Sequence, residues 1–237
     1  MSKDVVKRIA KIDMKQIEQM NLNESGIFVE FDESDITKAK AMIIGPKDTP
    51  YENGGLFFSI EFPCNYPFSP PKIEYISNSF IRCHPNLYRG KARNDFKGKV
   101  CLSILNTWSG PKWTSVMHIG GILLTIQSIL TNNPLHHEPG FEKETGKRND
   151  AYNDIVNYNT IKFLISENLM KNQESSPFSE IIKKHLVEKK GEIISKVDSL
   201  LSKYDSPTRI TIDTYRTDVT IDYLRCKSII DKYYESI

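Results

Sequence analysis

The sequence predicts an α+β fold: a four-stranded antiparallel meander flanked by helices, followed by a C-terminal extension of helices and a possible strand. Three observations predict it. Four short β-rich apolar runs, near residues 27–31, 38–44, 56–62 and 73–76, are separated by turns only, and strands joined that way pair antiparallel. Apolar residues at helical spacing bracket these runs, before residue 20 and after residue 119. The chain has 237 residues, 39% hydrophobic and 26% charged, which is enough apolar material to bury a substantial core in a soluble globular protein.

The same composition excludes several classes. A net charge of +2 and the lack of a repeating basic-aromatic stripe argue against a nucleic-acid binder. Met1-Ser2-Lys3-Asp4 has no apolar run behind it, so no secretory signal is expected, and the longest apolar run is far below a membrane span. Four cysteines, Cys64, Cys83, Cys101 and Cys226, stand far apart without CxxC spacing, which speaks against zinc ribbons and a disulfide framework. A reducing intracellular setting, cytoplasmic and/or nuclear, is the expectation.

In order along the chain, residues 3–20 predict an amphipathic helix. Val5, Ile9, Ile12, Ile17 and Met20 fall near one face, and Lys3, Lys7, Arg8, Lys11 and Lys15 populate the rest. That basic face is either a solvated surface or a docking surface for an acidic partner. The meander follows, with Gly45-Pro46 and the stretch Thr49 to Gly55 as a long turn before the third strand. Four prolines between Phe62 and Pro71 exclude a helix or central strand there and make a stiff loop carrying Phe68. Thr114 or Ser115 is positioned to cap a helix running through Ile119, Ile122, Leu123, Ile126 and Leu130. Gly120-Gly121 inside it costs about 1 kcal/mol per glycine relative to alanine, and close backbone packing is the expected compensation. Asn132-Asn133-Pro134 stops this helix, and another is expected from about Ala151 to Leu169. These elements form a first domain, 1–170. Residues 171–176 read as a linker. Residues 177–237 read as an extension packed on the core, with a helical pattern through Phe178, Ile193 and Val197, strand alternation at Ile210 and Ile212, and a final amphipathic segment to Tyr234.

The chemistry concentrates between residues 84 and 113. His84-Pro85-Asn86 forms a rigid polar turn, because proline fixes φ and asparagine tolerates unusual backbone angles. Cys101 lies in the apolar run Val100-Cys101-Leu102-Ser103-Ile104-Leu105, ahead of a loop bounded by Trp108 and Trp113. A lone cysteine among aliphatics is commonly a small buried hydrophobe.

Four stretches in fixed order change that reading: Gly45 to Tyr51, Tyr66 to Pro71, His84-Pro85-Asn86, and Val100 to Leu105. Together they resemble the ubiquitin-conjugating (E2) enzymes over roughly residues 1–170. The stretch Trp108 to Trp113 and the loop Asn133 to Glu142 are similar to the larger E2 enzymes with C-terminal extensions, the UBE2Z-like and UBE2O/BIRC6-like branch. The resemblance implies the UBC fold. It implies that Cys101 carries ubiquitin or a ubiquitin-like protein as a thioester, received from an activating enzyme (E1) and passed to substrate lysines, usually with a ligase (E3). It implies that Asn86 supports attack on the thioester and that His84 and Pro85 hold the turn in shape. The N-terminal helix, with Lys7, Arg8 and Lys11, and the loop carrying Phe68 match surfaces that meet E1 and E3. No cofactor bound by this chain is implied, since ATP is consumed at the E1 step, and no metal, nucleic acid or membrane partner.

The chemistry fits that assignment. Thiol exchange needs an accessible thiol and an activated donor, not a neighbouring base. Transfer to lysine develops negative charge on the carbonyl oxygen, which a fixed side-chain amide stabilises by about 2.7–4 kcal/mol. The pattern departs from the family in three places. Fourteen residues separate Asn86 from Cys101, about twice the usual spacing, and residues 90–96 form a basic insertion expected to be flexible. Thr114-Ser115-Val116 stands where serine-proline-alanine is common. The acidic residue that often gates the cysteine has no clear match, and His136, His137 and Glu138 are candidates either for that gate or for structuring their own loop. The competing readings are an inert E2-like binding module, a cysteine hydrolase pairing Cys101 with His118 or His136, and a metal site using Cys83, His84, Cys101 and the two loop histidines.

Overall fold

The computed structural model describes residues 3–89, 98–171, 173–174 and 176–237; the insertion at 90–96 lies outside them. The chain forms two compact units, one from residues 3–44, 56–80 and 85–130, the other from 45–55, 81–84 and 131–237.

The first unit begins with a continuous helix, α1, with α-helical turns at Lys3–Arg8 and Met14–Gln19 around a π-helical segment Ile9–Asp13. The sheet has the order β1-β2-β3-β4, with β1 Ile27–Phe31, β2 Lys38–Ile44, β3 Gly55–Glu61 and β4 Lys72–Ile76. Each neighbour is the next in sequence, as a meander requires, and β1 pairs β2 with Val29 opposite Ala41 while β3 pairs β4 with Ser59 opposite Glu74. In β4 the alternation is strict: Ile73 and Tyr75 are buried, Lys72, Glu74 and Ile76 exposed. Helix α2, Ile119–Ser128, buries Ile119, Ile122, Leu123 and Ile126.

Local chemistry departs from the sequence expectations in two ways here. The cap of α2 is His118, whose Nδ1 accepts from Gly121 N at 3.3 Å, and not Thr114 or Ser115. In α1 the π segment shifts the helical phase: Val5 and Ile9 are buried, Ile12 is 40% exposed, and Asp13 is fully buried. The Asp13 carboxylate accepts from Tyr66 Oη at 2.6 Å and from Ile119 N at 3.0 Å, with Arg8 Nε 3.5 Å away. Arg8 also donates to the Met117 carbonyl at 2.7 Å. One buried carboxylate therefore ties α1 to the proline-rich loop and to the start of α2. Gly120 is tightly packed, since a Cβ there would lie 3.1 Å from the Met20 sulfur; Gly121 has ordinary room.

The second unit is built on α3, Lys147–Asn159, continued as a π helix over Thr160–Lys171. It starts four residues before the expected Ala151. Around it stand α4 (Ser179–Glu188), α5 (Lys190–Lys203), the hairpin of β5 (Thr208–Ile212) and β6 (Thr217–Ile221), and α6 (Tyr223–Glu235), which Asp222 caps through Arg225 N at 2.9 Å. Strand β6 was not expected from the sequence; Val219 and Ile221 supply its buried face. Tyr223 meets Tyr158 of α3 edge-on at 5.6 Å, and Asp154 of α3 is held by Lys203 and Tyr204 at 2.6 Å each. In the segment read as a linker, Gln173 is buried and accepts from Tyr233 Oη at 2.7 Å. The turn 45–55 folds back so closely at Gly45 that a Cβ there would lie 1.9 Å from the Tyr51 carbonyl oxygen. The α4–α5 pair grips that turn: Lys196 Nζ donates to the Thr49 carbonyl at 3.3 Å and a His185 ring nitrogen lies 3.3 Å from that of Asn53. Among the described residues no helix is long and apolar enough to cross a membrane.

Candidate active site around Cys101

Cys101 ends a short stretch of extended chain that lies between two partners. On one side Tyr75 N of β4 donates to the Gly98 carbonyl at 2.6 Å, and Glu74 bridges Lys99. On the other, Tyr88 N donates to the Lys99 carbonyl at 3.0 Å and Leu87 bridges Val100 in antiparallel register. The next rung is the site itself. Cys101 N donates to the Asn86 carbonyl at 2.9 Å, and Asn86 Nδ2 donates to the Cys101 carbonyl at 2.6 Å.

This ladder answers the spacing problem. Residues 86–88 and 99–101 are the two arms of a hairpin, so the length of the connection beyond them does not alter the rung that joins Asn86 to Cys101. Gly98 makes the approach possible. Its φ is +58°, and a Cβ would lie 2.3 Å from the Tyr75 carbonyl oxygen, so only glycine fits without displacing β4.

Thr107 holds the other side of the cysteine. Its hydroxyl donates to the Val100 carbonyl at 2.7 Å and accepts from Leu102 N at 2.9 Å, clasping the residues on both sides of Cys101. Asn106, left-handed at φ 59°, turns the chain there and accepts from Trp113 N at 3.2 Å through its side chain. Trp113 is itself fixed to the proline-rich loop by Nε1 donating to the Pro67 carbonyl at 2.7 Å. Cys101 is 2% exposed, so the accessible thiol expected from the sequence is buried in this structure.

In the second unit, His84 is fully buried, its ring 6.2 Å from that of Tyr51 and 5.0 Å from that of His137. Tyr51 Oη donates to the Cys83 carbonyl at 2.7 Å, and Tyr152 Oη to that of Arg82 at 2.9 Å. The backbone leading into the His-Pro-Asn turn is thus held carbonyl by carbonyl. All three gate candidates are engaged, the two histidines close to their own loop and Glu138 with the turn between β5 and β6. A His136 ring nitrogen lies 2.8 Å from the Glu144 carbonyl, a His137 nitrogen lies 3.2 Å from the Thr131 hydroxyl, and Glu138 accepts from Tyr215 Oη. Burial, with His136 beside it, pulls His137 below the ordinary histidine range.

The surface candidates divide. Lys7 and Lys11 are exposed and Phe68 is 83% exposed, whereas Arg8 is turned inward to Asp13 and Met117. Both histidines weighed as a hydrolase base are committed to backbone groups, His118 to Gly121 and His136 to Glu144. Among the described residues no group of three or more His, Cys, Asp or Glu side chains stands close enough to hold a metal ion. Gly98 and Thr107 escaped the sequence reading. A glycine closing a polar insertion just before the apolar cysteine run was a usable signal for the first; nothing in the sequence marked the second.

This arrangement defines a buried cysteine paired with an asparagine amide at the rim of a meander sheet. Residues 10–160 match the family model described as ubiquitin-conjugating enzyme, and the chain belongs to that family. Among its relatives is ubiquitin-conjugating enzyme E2 Z of Xenopus tropicalis, 42% identical over 147 residues, covering 61% of this chain and 45% of the relative. A probable ubiquitin-conjugating enzyme, protein 17 of Caenorhabditis elegans, is 39% identical over 209 residues, with 83% of this chain and 28% of the relative covered. The human dual E2 ubiquitin-conjugating enzyme/E3 ubiquitin-protein ligase BIRC6 is 36% identical over 204 residues, with 79% of this chain and 4% of the relative covered. The last two matches cover more of the chain than its first 170 residues hold, so the likeness reaches into the C-terminal extension. The chain spans less than half the length of the E2 Z relatives it matches.

Proposed function

We propose that the chain accepts ubiquitin or a ubiquitin-like modifier from an E1 as a thioester on Cys101 and transfers it to lysine, with an E3 in most cases, in an intracellular reducing setting and without a bound cofactor. The observation that carries this is the rung joining Asn86 to Cys101, 2.9 Å through the backbone and 2.6 Å through the side-chain amide. The first step is exchange: the Cys101 thiolate attacks the donor thioester, the new C–S bond forms, and the E1 thiolate leaves. In the second step the lysine amine attacks the same carbonyl. Negative charge gathers on its oxygen, the Cys101 thiolate departs, and the amine proton passes to solvent. Asn86 Nδ2 already points at a carbonyl oxygen of residue 101, and a modest swing of that amide serves the thioester oxygen instead. Removing such a donor costs about 10²–10³ in rate.

Lys7, Lys11 and the exposed Phe68 are offered as E1 and E3 contacts; Arg8 supports the same surface from within, by anchoring α1. The test is charging with E1, ATP and a panel of modifiers, read on a non-reducing gel. A thiol-sensitive adduct that survives substitution of Cys64, Cys83 and Cys226 and disappears in Cys101→Ala is the expected result. Full charging of Cys101→Ala refutes the assignment.

A further inference from the structure

The turn between β5 and β6 contains two successive non-glycine residues in the left-handed region, Tyr215 at φ 58° and Arg216 at φ 49°. For an aromatic side chain that conformation is costly, and it persists only where surrounding contacts over-determine it. At Tyr215 those contacts are specific. Its hydroxyl donates to the Glu138 carboxylate. Its ring lies under the Arg82 guanidinium, 4.1 Å from ring centre to Cζ, and meets Tyr152 edge-on at 6.1 Å. Tyr152 in turn donates to the Arg82 carbonyl at 2.9 Å. Arg82 is therefore held at its side chain by Tyr215 and at its backbone by Tyr152. Cys83 is held through its carbonyl by Tyr51, and His84 is buried beside His137. The next two residues in the chain are Pro85, which is rigid, and Asn86.

We propose that Tyr215, at the tip of the C-terminal hairpin, is a positioning residue for the transfer step: it fixes the backbone of residues 82–84, and through the proline that follows it sets where the Asn86 amide points. The inference rests on the thioester chemistry proposed above. It gives the extension a part in catalysis that does not depend on the identity of the modifier. An aromatic ring beneath a guanidinium, with its hydroxyl on a carboxylate, resists both sliding and rotation. A displacement of about 1 Å at a reacting group is worth up to about 10²-fold in rate.

The experiment charges the full-length chain, removes E1 activity, and follows single-turnover discharge to free lysine. It compares the parent with Tyr215→Gly, which removes the side chain without the left-handed penalty, and with Tyr215→Phe and Glu138→Gln, which keep the ring in place and weaken only the hydroxyl contact. Each substitution is also made in an Asn86→Ala background. Charging is expected to stay within about twofold of the parent, since the amide acts in the second step. Discharge is expected to fall about tenfold in Tyr215→Gly and less in the two milder variants, with these losses absent when Asn86 is already alanine, because the group being positioned is gone. If Tyr215→Gly does not fold, the two milder variants decide by the same comparison. Unchanged discharge, or an equal loss in both backgrounds, overturns the positioning role. A parent chain that forms no thioester with any modifier overturns the underlying reading instead.

Discussion

Replacing Gly98 with alanine tests the claim that a single close approach builds the site. An alanine Cβ would lie 2.3 Å from the Tyr75 carbonyl oxygen and 3.1 Å from its nitrogen, both backbone atoms of β4. Ordinary contact begins near 3.4 Å, so the two segments must separate by on the order of 1 Å, or the left-handed residue must leave its φ of +58°. Holding that φ costs alanine about 1–2 kcal/mol. Separation breaks the 2.6 Å bond from Tyr75 N to the Gly98 carbonyl, and an unmet buried donor costs about 1–3 kcal/mol. The combined loss, about 2–5 kcal/mol, is a large share of the 5–15 kcal/mol that holds a typical domain. In a chain of this size it lowers the melting temperature by roughly 4–20 °C. Function should fall as well, because Cys101 is three residues downstream on the same stretch and its rung to Asn86 moves with it. Calorimetry reports the first effect and single-turnover lysine discharge the second, with a loss of up to about 10²-fold expected. A Gly98→Ala variant with parental melting temperature and parental discharge rate would show that the approach to β4 does not position the cysteine.

Asn86→Ala should charge near-normally and discharge about 10²–10³-fold more slowly, since its amide acts on charge that develops only in the second step; equal discharge would assign the oxyanion donor elsewhere. Burial lowers the Lys196 pKa to about 8. Between about pH 8 and the ordinary lysine value near 10.4, the unfolded chain keeps a proton that the native chain has lost, so stability rises with pH across that window. Lys196→Met should flatten this rise in denaturant titrations at pH 7.5 to about pH 10; an undiminished slope would trace it to another group.

The meander was legible because its strands alternate and the turns between them carry Gly, Pro, Asn and Asp at the breaks. Cys101 and Asn86 were legible as motif residues, but their union was not. Sequence distance measured the loop between them, whereas the spatial relation is set by the rungs at Leu87–Val100 and Tyr88–Lys99, which carry no length information. Buried charge was the second blind spot. Arg8 reads as one more cation on a basic helix face, and only the three-dimensional structure shows it turned toward the buried carboxylate of Asp13. The cap of α2 was missed for a related reason. Serine and threonine are the usual caps, yet the chain reaches helical geometry only at Ile119, so the residue in place to accept from Gly121 N is His118. Tyr215 had no sequence signal, since aromatic residues are depleted at left-handed positions and nothing nearby announced the contact with Glu138.

The extension shares its interior with α3, and that decides what truncation after Lys171 would do. Tyr158 packs edge-on against Tyr223, Tyr152 against Tyr215, and the Asp154 carboxylate is met by Lys203 and Tyr204. Asn53 and Thr49, in the turn that Gly45 closes, are bonded to His185 and Lys196. Cutting at Lys171 returns faces of Tyr152 and Tyr158 to water and strips Asp154 of its cation. Each large side chain so exposed forfeits up to about 1.5–3 kcal/mol, so the two tyrosines together forfeit up to about 3–6 kcal/mol, a large share of the stability of a domain. A tether would leave a soluble core; an element that supplies the partner surface of a helix does not. The truncated chain is therefore expected to aggregate or to melt far below the parent. Substitution of single hairpin-tip residues in the full chain is then the way to ask what the extension does for transfer. A soluble truncated core with a parental melting temperature would show that residues 177–237 contribute nothing to holding α3.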